Sequence, residues 1–169
     1  ARFFRKLHLW PNNQAVVIAD QLVRAQTLYG MYDRFAHGLP EEMRPMMRYV
    51  TKKKEMVFDN PRDALRAHDP GLGSGISVET ANDTSAGRGS TIQLAHCSEM
   101  AFWDNATDVY ISLMQAVPDL GSEIIIESTA NGVGNHFHQM WLQADEGEGV
   151  LEGTNGYVAI FIPWWWHEE

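Results

Sequence analysis

Short runs of apolar residues alternate along this sequence with longer segments whose apolar residues recur at helical spacing. Residues 15–19 form the first run, and in residues 22–35 the apolar side chains recur three or four positions apart. The same order returns when residues 92–97 are followed by 106–117, and when residues 123–127 are followed by another helical segment. Continuous apolar runs are typical of strands buried on both faces of a parallel sheet, with helices in the connections. The sequence therefore predicts an α/β fold, a mainly parallel sheet with helices on both faces.

The rest of the chain is less regular. Residues 2–9 have the pattern of the last turns of a helix, and residues 55–58 and 76–80 are predicted to be short strands. A last strand is expected at residues 157–162. Asp20, which directly follows the first apolar run, is expected to cap the next helix.

Length and composition favour one globular domain. The 169 residues are enough for one hydrophobic core, and 44% apolar with 21% charged residues is ordinary for a folded domain. No apolar run approaches the roughly 18 to 20 residues that a membrane-spanning helix needs. The one cysteine, Cys97, excludes an internal disulfide framework and is typical of a reducing compartment.

Charge is distributed unevenly. The net charge is -9, yet residues 1–66 carry 12 of the 13 basic groups. The only Lys or Arg after Arg66 is Arg88, in a polar loop that contains several glycines. We interpret Arg88 either as a neutraliser of acidic neighbours or as a charge presented to another molecule. The run at residues 52–54 is interpreted as a solvated loop, with a phosphate contact as the alternative.

Polar side chains follow two of the predicted strands directly. Ser98 and Glu99 come after one strand, and Ser128, Thr129 and Asn131 come after the next. In open α/β sheets ligands bind at the carboxyl ends of the strands, where a carboxylate can polarise a water and a hydroxyl can lie near a metal ion. A purely structural interpretation stays open for each group. Glu99 would then be a charge at a helix N-terminus, and the other three would be turn and cap residues.

Histidine and cysteine residues give weaker signals. His136 and His138 are two positions apart in a helical pattern, where their side chains diverge, so a shared metal ion is not expected. His96 and Cys97 lie in a predicted buried strand and are expected to be core residues.

Four motifs, taken together and in order, resemble the ATPase domain of the large terminase subunit, the DNA-packaging motor of tailed bacteriophages and prophages. They lie at residues 87–89, 98–103, 127–132 and 161–165, and the resemblance covers about residues 14–166. It implies a P-loop NTPase-like fold that is incomplete at the N-terminus. Residues 1–169 would be a partial ATPase domain whose core ends near residues 163–166.

The resemblance implies a role for each matching residue. Residues 92–99 are similar to a Walker B strand, so Glu99 would be the catalytic base that orients the attacking water. Ser98 departs from the aspartate common in P-loop ATPases, and it would support Mg²⁺ directly or through water. Arg88 resembles the arginine finger offered to the nucleotide of a neighbouring subunit.

The motif at residues 128–132 resembles the coupling motif of the family. Ser128, Thr129 and Asn131 would contact the nucleotide there, sense its γ-phosphate and link hydrolysis to DNA movement.

The main departure from the family is a missing motif. No Gly-x-x-x-x-Gly-Lys-Ser/Thr loop occurs in the 169 residues, although such a loop holds the phosphates of ATP. We expect the chain to begin just after that loop and to end before the family's nuclease domain. Alone, it is expected to bind nucleotide feebly and to turn none over.

The resemblance also implies cofactors, partners and a location for the complete protein. The cofactors are ATP and Mg²⁺. The partners are double-stranded DNA, the portal protein, the small terminase subunit and other large-subunit copies in a ring, with no membrane. The location is the cytoplasm of the bacterial host.

Two other hypotheses stay open. The chain would be a non-catalytic prophage remnant or interaction module if it kept the fold without nucleotide turnover. Otherwise it would be a metal-dependent hydrolase that uses Glu99, Asp104 and either His136 or His138.

Overall fold

A computed structural model describes residues 1–51, 54–83, 91–147 and 151–166. By its internal contacts the chain forms two compact units, residues 1–128 and residues 129–169. The first unit contains, in chain order, α1 (Arg2–Leu9), β1 (Gln14–Ala19), α2 (Leu22–Gly38), β2 (Arg48–Thr51), β3 (Glu55–Asp59), β4 (Gly71–Thr80), β5 (Leu94–Ser98), α3 (Ala106–Met114) and β6 (Glu123–Glu127), and the second contains α4 (His136–Asp145). Short 3-10 turns lie at Glu41–Met43, Asp63–Leu65, Met100–Phe102 and Trp164–Trp166.

The six strands form one sheet in the order β2-β3-β4-β1-β5-β6. Strands β4, β1, β5 and β6 run parallel, whereas β2 and β3 add an antiparallel edge. The predicted α/β fold with a mainly parallel sheet is confirmed.

Strand β1 lies at the centre of the core. Its residues Val17 and Ala19 belong to a cluster that includes buried side chains of α1 and α2. The alternate residues Val16 and Ile18 are at most 1% exposed. Because successive side chains of a strand point to opposite faces, both faces of β1 are covered. This burial explains the unbroken apolar run in the sequence.

Helix α1 is tied to the sheet by packing and by charge. Phe3, Phe4 and Leu7 are buried. Lys6 Nζ lies 2.7 Å from Glu123 Oε2, and Arg2 donates to the other oxygen of that carboxylate. Burial alone would raise the pKa of Glu123, but the hydrogen bonds from Lys6 and Arg2 lower it below its usual value.

The prediction that Asp20 caps a helix is wrong. The N-cap residue of α2 is Gln21, and no side chain caps that helix end. The Asp20 carboxylate instead accepts a hydrogen bond from Arg24 Nη1 at 2.9 Å. Asp20 lies one residue before the capping position, and an arginine four residues later lies on the helix face above it.

Strand β6 differs from the buried strand that its isoleucines predict. It is the last strand of the sheet, and its residues are half-buried or exposed, with Ile125 37% exposed. The edge position leaves one side of the strand without a ladder partner among the described residues.

The strand expected at residues 157–162 does not form, so that prediction is wrong. These residues are irregular, and Ile160, Phe161 and Ile162 are exposed. An extended segment becomes a strand only through ladder hydrogen bonds, and the described residues contain no ladder partner for this one.

Helix α3 ends at Met114, three residues before the predicted end. The loop expected around Arg88 lies mostly at residues 84–90, outside the described residues, as do Lys52 and Lys53. None of the helices in the described ranges combines the length and the apolar character that crossing a membrane requires.

Candidate functional site

Three parallel strands end side by side in the first unit. Ser98, the last residue of β5, pairs in register with Ala19 of β1 on one side and with Glu127 of β6 on the other. Asp20, Glu99 and Ser128 directly follow these strand ends. We call Ala19, Ser98 and Glu127, with the residue after each, the carboxyl edge of the sheet.

Glu99 has a left-handed backbone conformation at the carboxyl edge. Its φ is 56° and its ψ is 43°, and Asn12 is the only other described non-glycine residue with a positive φ. This region costs an L-residue roughly 1 to 2 kcal/mol. Such strain is concentrated at functional sites, where the surrounding structure imposes it.

The turn after β5 is held by hydrogen bonds on both sides of Glu99. The Glu99 carbonyl accepts from the Phe102 N–H at 2.9 Å, which closes the short Met100–Phe102 turn. The indole Nε1 of Trp103 donates to the Ser98 carbonyl at 3.0 Å, and this bond is buried. Together they fix the backbone that carries the Glu99 side chain.

Ser128 connects the ends of β5 and β6. Its hydroxyl donates to Glu99 Oε2 at 3.3 Å and accepts from the backbone N–H of Ala101 at 3.1 Å. The bond from Ala101 fixes the hydroxyl oxygen, and the single hydroxyl proton is directed at the Glu99 carboxylate. Ser128 thereby orients the carboxylate to which the resemblance gives the role of base.

Glu127 is part of this arrangement, although the sequence analysis assigned it no role. Its carboxylate accepts from the Ser98 hydroxyl and from the Glu99 backbone N–H. His96 Nε2 lies 3.2 Å from Glu127 Oε1, a hydrogen bond when that nitrogen carries the proton. Burial alone would raise the pKa of Glu127, but His96, Ser98 and the Glu99 N–H lower it below its usual value.

The sequence signal for Glu127 was its place as the last residue of an apolar run. Which strand ends adjoin it depends on strand order, which the sequence does not contain. The expectation that both His96 and Cys97 are core residues is confirmed for Cys97, which is fully buried. It is wrong for His96, whose side chain is 22% exposed and faces Glu127.

Ser98 is buried at the centre of the carboxyl edge. Its hydroxyl donates to Glu127, which leaves the lone pairs of the oxygen for a water or a cation. The geometry is compatible with the metal-supporting role that the resemblance implies.

Thr129 and Asn131 belong to the second unit. They lie in the loop that leads to α4, where the Asn131 carbonyl accepts from Asn135 Nδ2 at 2.8 Å. Asn135 caps α4 by accepting from the His138 N–H at 2.9 Å. Of the predicted cofactor-binding residues, Ser98 and Ser128 both lie at the carboxyl edge in the first unit. Thr129 and Asn131 lie in the second unit, in the loop before α4.

The other predicted site residues have separate outcomes. Arg88 lies outside the described residues. His136 and His138 both lie on α4, and burial lowers the pKa of His136. Across the described ranges there is no group of three or more His, Cys, Asp or Glu side chains placed to hold a metal ion.

Known structures share this fold. The ATPase domain of the Thermus phage P74-26 large terminase superposes with a TM-score of 0.64 at 17% identity, over 93% of this chain and 64% of that one. An arginine-to-alanine variant of that domain gives a TM-score of 0.61 at 16% identity, over 84% of this chain and 57% of that one. The chain therefore spans somewhat less than two thirds of the length of these domains. No protein-family model matches the sequence. The likeness establishes the fold.

Proposed function

We propose that residues 1–169 are part of the ATP-hydrolysing motor domain of a phage or prophage large terminase, which packages viral DNA into procapsids. The shared fold supports the proposal, and so does the family order of the four sequence motifs. Because the chain spans only part of the matched domains, the activity is proposed for the complete protein.

The observation that carries the proposal is the placement of Glu99. A carboxylate stands directly after β5, a parallel strand paired on both sides, on a left-handed turn, with one oxygen hydrogen-bonded by Ser128. A general base has to be held within hydrogen-bond reach of the water that it activates, and fixed turns with a second residue orienting the side chain provide this. We propose Glu99 as the base that orients the attacking water.

ATP and Mg²⁺ are the proposed cofactors. The carboxyl edge offers the Ser98 hydroxyl, the Glu99 carboxylate and a buried Asp20 oxygen that has no hydrogen-bond partner among the described residues. Oxygen ligands of this kind suit Mg²⁺, which stabilises the charge that develops on transferred phosphate. Ser98 would support the metal directly or through water, and Ser128, Thr129 and Asn131 would contact the nucleotide.

The remaining assignments follow from the proposed family. Arg88 would act on the nucleotide of a neighbouring subunit in a ring of large-subunit copies. The further partners would be double-stranded DNA, the portal protein and the small terminase subunit, in the cytoplasm of the bacterial host.

The first test reads the codons directly upstream of Ala1 in the source DNA for a phosphate-binding loop after an apolar strand. We expect to find one, and we call the chain with that segment restored the extended protein. If no such loop is encoded there, the ATPase assignment fails and the non-catalytic remnant or interaction module becomes the better explanation.

The second test replaces the base in the extended protein. Glu99→Gln keeps the shape of the side chain but removes its charge, so we expect ATP turnover to fall about 100- to 10,000-fold while ATP binding is kept. Glu42→Gln, the same change at an exposed residue of the Glu41–Met43 turn, is the matched control and should leave turnover unchanged. Normal turnover in Glu99→Gln would remove Glu99 from the mechanism.

The third test concerns Arg88. If Arg88 acts on a neighbouring subunit, Arg88→Ala should lower turnover only in the assembled ring. Mixing it with Glu99→Gln should restore part of the activity, because some interfaces then combine an intact arginine with an intact glutamate. An equal loss in the monomer would overturn the action between subunits.

A further inference from the structure

Asp20 presents a buried carboxylate that the structure only half satisfies. Its side chain is 7% exposed, and Oδ2 accepts from Arg24 Nη1 at 2.9 Å. Oδ1 is buried and has no hydrogen-bond partner within the described ranges. A buried carboxylate oxygen without a donor or a cation is strongly disfavoured. The half-satisfied carboxylate therefore points to a ligand at this position.

The position of Asp20 indicates what kind of ligand this is. Ala19 and Ser98 are partners in the parallel ladder, so Asp20 and Glu99 each follow one member of that pair. The Ser98 hydroxyl and the Glu99 carboxylate thus belong to the same sheet edge. Neighbouring oxygen donors of this type, two of them carboxylates, are the ligands that Mg²⁺ takes up in proteins.

Ser98 stands at a position where an aspartate is common in P-loop ATPases. The serine has no charge, and its hydroxyl donates to Glu127. The adjacent strand β1 is followed by a carboxylate, because Asp20 comes directly after Ala19, the residue that pairs with Ser98. A negative charge is therefore present at the carboxyl edge, displaced by one strand.

We propose that Asp20 binds a divalent cation at the carboxyl edge of the sheet and supplies the carboxylate that Ser98 lacks. The inference rests on the proposed function, because it deepens the metal requirement of that same site. Helix capping, the role expected from the sequence, is not what this side chain does.

The described side chains supply only part of the ligand shell of a metal at the proposed site. The described residues contain no group of three or more His, Cys, Asp or Glu side chains that would enclose a metal. Mg²⁺ is commonly held by one or two carboxylates, with water or substrate phosphates completing its shell. Binding to the chain alone is therefore expected to be weak and to tighten when phosphate is present.

The test measures Mn²⁺ binding to the chain itself, without nucleotide, from the loss of the electron paramagnetic resonance signal of free Mn²⁺. Asp20→Asn keeps the size of the side chain and removes its charge, and we expect at least a tenfold loss of affinity. Arg24→Gln removes the ion pair but leaves the carboxylate, so binding should be kept. Asp119→Asn, an exposed change just before the amino end of β6, is the matched control and should have no effect. Unchanged affinity in Asp20→Asn, or equal losses in all three variants, overturns the proposal.

A second measurement does not depend on any variant folding. Mn²⁺ broadens the resonances of nearby amides, and in the unmodified chain it should broaden those of Ala19, Asp20, Ser98 and Glu99 before that of Asp119. Broadening elsewhere, or none at all, overturns the proposal.

Because neither readout involves ATP, the proposed function and the proposed metal ligand fail separately. Mn²⁺ binding at Asp20 without turnover in the extended protein contradicts only the proposed function, whereas turnover with unchanged Mn²⁺ binding in Asp20→Asn contradicts only this inference.

Discussion

The Ser128 hydroxyl donates a hydrogen bond to Glu99 Oε2 at 3.3 Å and links the end of β6 to the end of β5. The two residues are 29 positions apart in the chain. Their contact depends on the parallel pairing of β5 with β6, which places both strand ends at one edge. The side chain proposed as the base is therefore oriented by sheet topology as well as by its own turn.

Removing the Ser128 hydroxyl should affect turnover more than nucleotide binding. In the extended protein, Ser128→Ala leaves Glu99 in place but no longer orients its carboxylate, so we expect kcat to fall about 10- to 100-fold with KM nearly unchanged. Ser128→Thr retains a hydroxyl and should recover much of the activity. If threonine does no better than alanine, or if KM rises while kcat holds, Ser128 is not a positioning residue.

Relieving the backbone strain at Glu99 should stabilise the chain. Glycine adopts the left-handed region without the roughly 1 to 2 kcal/mol that another residue loses there, while its freedom in the unfolded chain costs about 0.4 to 1 kcal/mol. Glu99→Gly should therefore raise the free energy of unfolding by about 0.5 kcal/mol in urea titrations, at the expense of turnover in the extended protein.

A matched glycine substitution should have the opposite effect. Gln115 is exposed and has right-handed helical backbone angles, φ -70° and ψ -22°. Gln115→Gly should lower the free energy of unfolding by about 0.4 to 1 kcal/mol, because the glycine is freer in the unfolded chain and relieves no strain in the folded one. Equal losses in both variants would show that the Glu99 turn is not strained.

The sequence predicted the elements that are strongly patterned. The runs of β1 and β5 and the spacing of α2 reflect burial, which acts on each residue locally. Strand β2 was missed because its four residues, RYVT, carry neither a continuous apolar run nor strict alternation.

The early part of β4 was missed for a different reason. Residues 71–75 contain three glycines, which in sequence resemble a turn. In the structure they belong to a strand that approaches β3 closely, since a Cβ on Gly71 would lie 2.9 Å from Asp59 Cα and its φ is 79°. The close approach of β3 and the positive φ both favour glycine at this position, and the sequence does not say which strand lies next to it.

The candidate site could be predicted only in part, because the sequence does not say which strands are neighbours. Ser98, Glu99 and Ser128 follow from the rule that ligands bind at the carboxyl ends of parallel strands. The hydrogen bonds of Glu127 and the metal-binding role proposed for Asp20 required the strand order β1-β5-β6, because both depend on which strand lies next to which. Long-range pairing is the information that local pattern does not carry.

The lowered pKa of Glu127 predicts how stability responds to acid. The folded-state pKa lies below the ordinary value of 4.5, so the unfolded chain binds the proton more tightly. The stabilisation from Glu127 is present above pH 4.5 and is lost as the pH falls from that value through the lower folded-state pKa. Glu127→Gln should therefore flatten part of the acid limb of stability against pH, measured by urea unfolding.

Two comparisons make the acid prediction specific. Glu123 also has a lowered pKa, held by Lys6 and Arg2 against the effect of burial, so Glu123→Gln should flatten the same limb independently. His96→Ala removes one of the groups that lower the Glu127 pKa and should reduce the effect of Glu127→Gln. An unchanged acid limb in Glu127→Gln would contradict the hydrogen bonding at the end of β6.

The thiol of Cys97 should report on whether the sheet is intact. Burial, with the Glu127 charge as a smaller cause, raises the pKa of Cys97 from 9.0 to about 12. The thiolate is the reactive form, so a shift of this size lowers its fraction at pH 8 about a thousandfold, and burial in addition blocks access.

Because Cys97 is the one cysteine of the chain, labelling by a disulfide reagent reports on that residue alone. We expect labelling at pH 8 to be slow in native buffer and complete within the mixing time in concentrated guanidinium. The native rate should follow global unfolding, and variants that change stability should change it in proportion. Rapid labelling of the native chain would mean that β5 is not covered on the face that carries Cys97, and the carboxyl edge built on β5 would then lose its support.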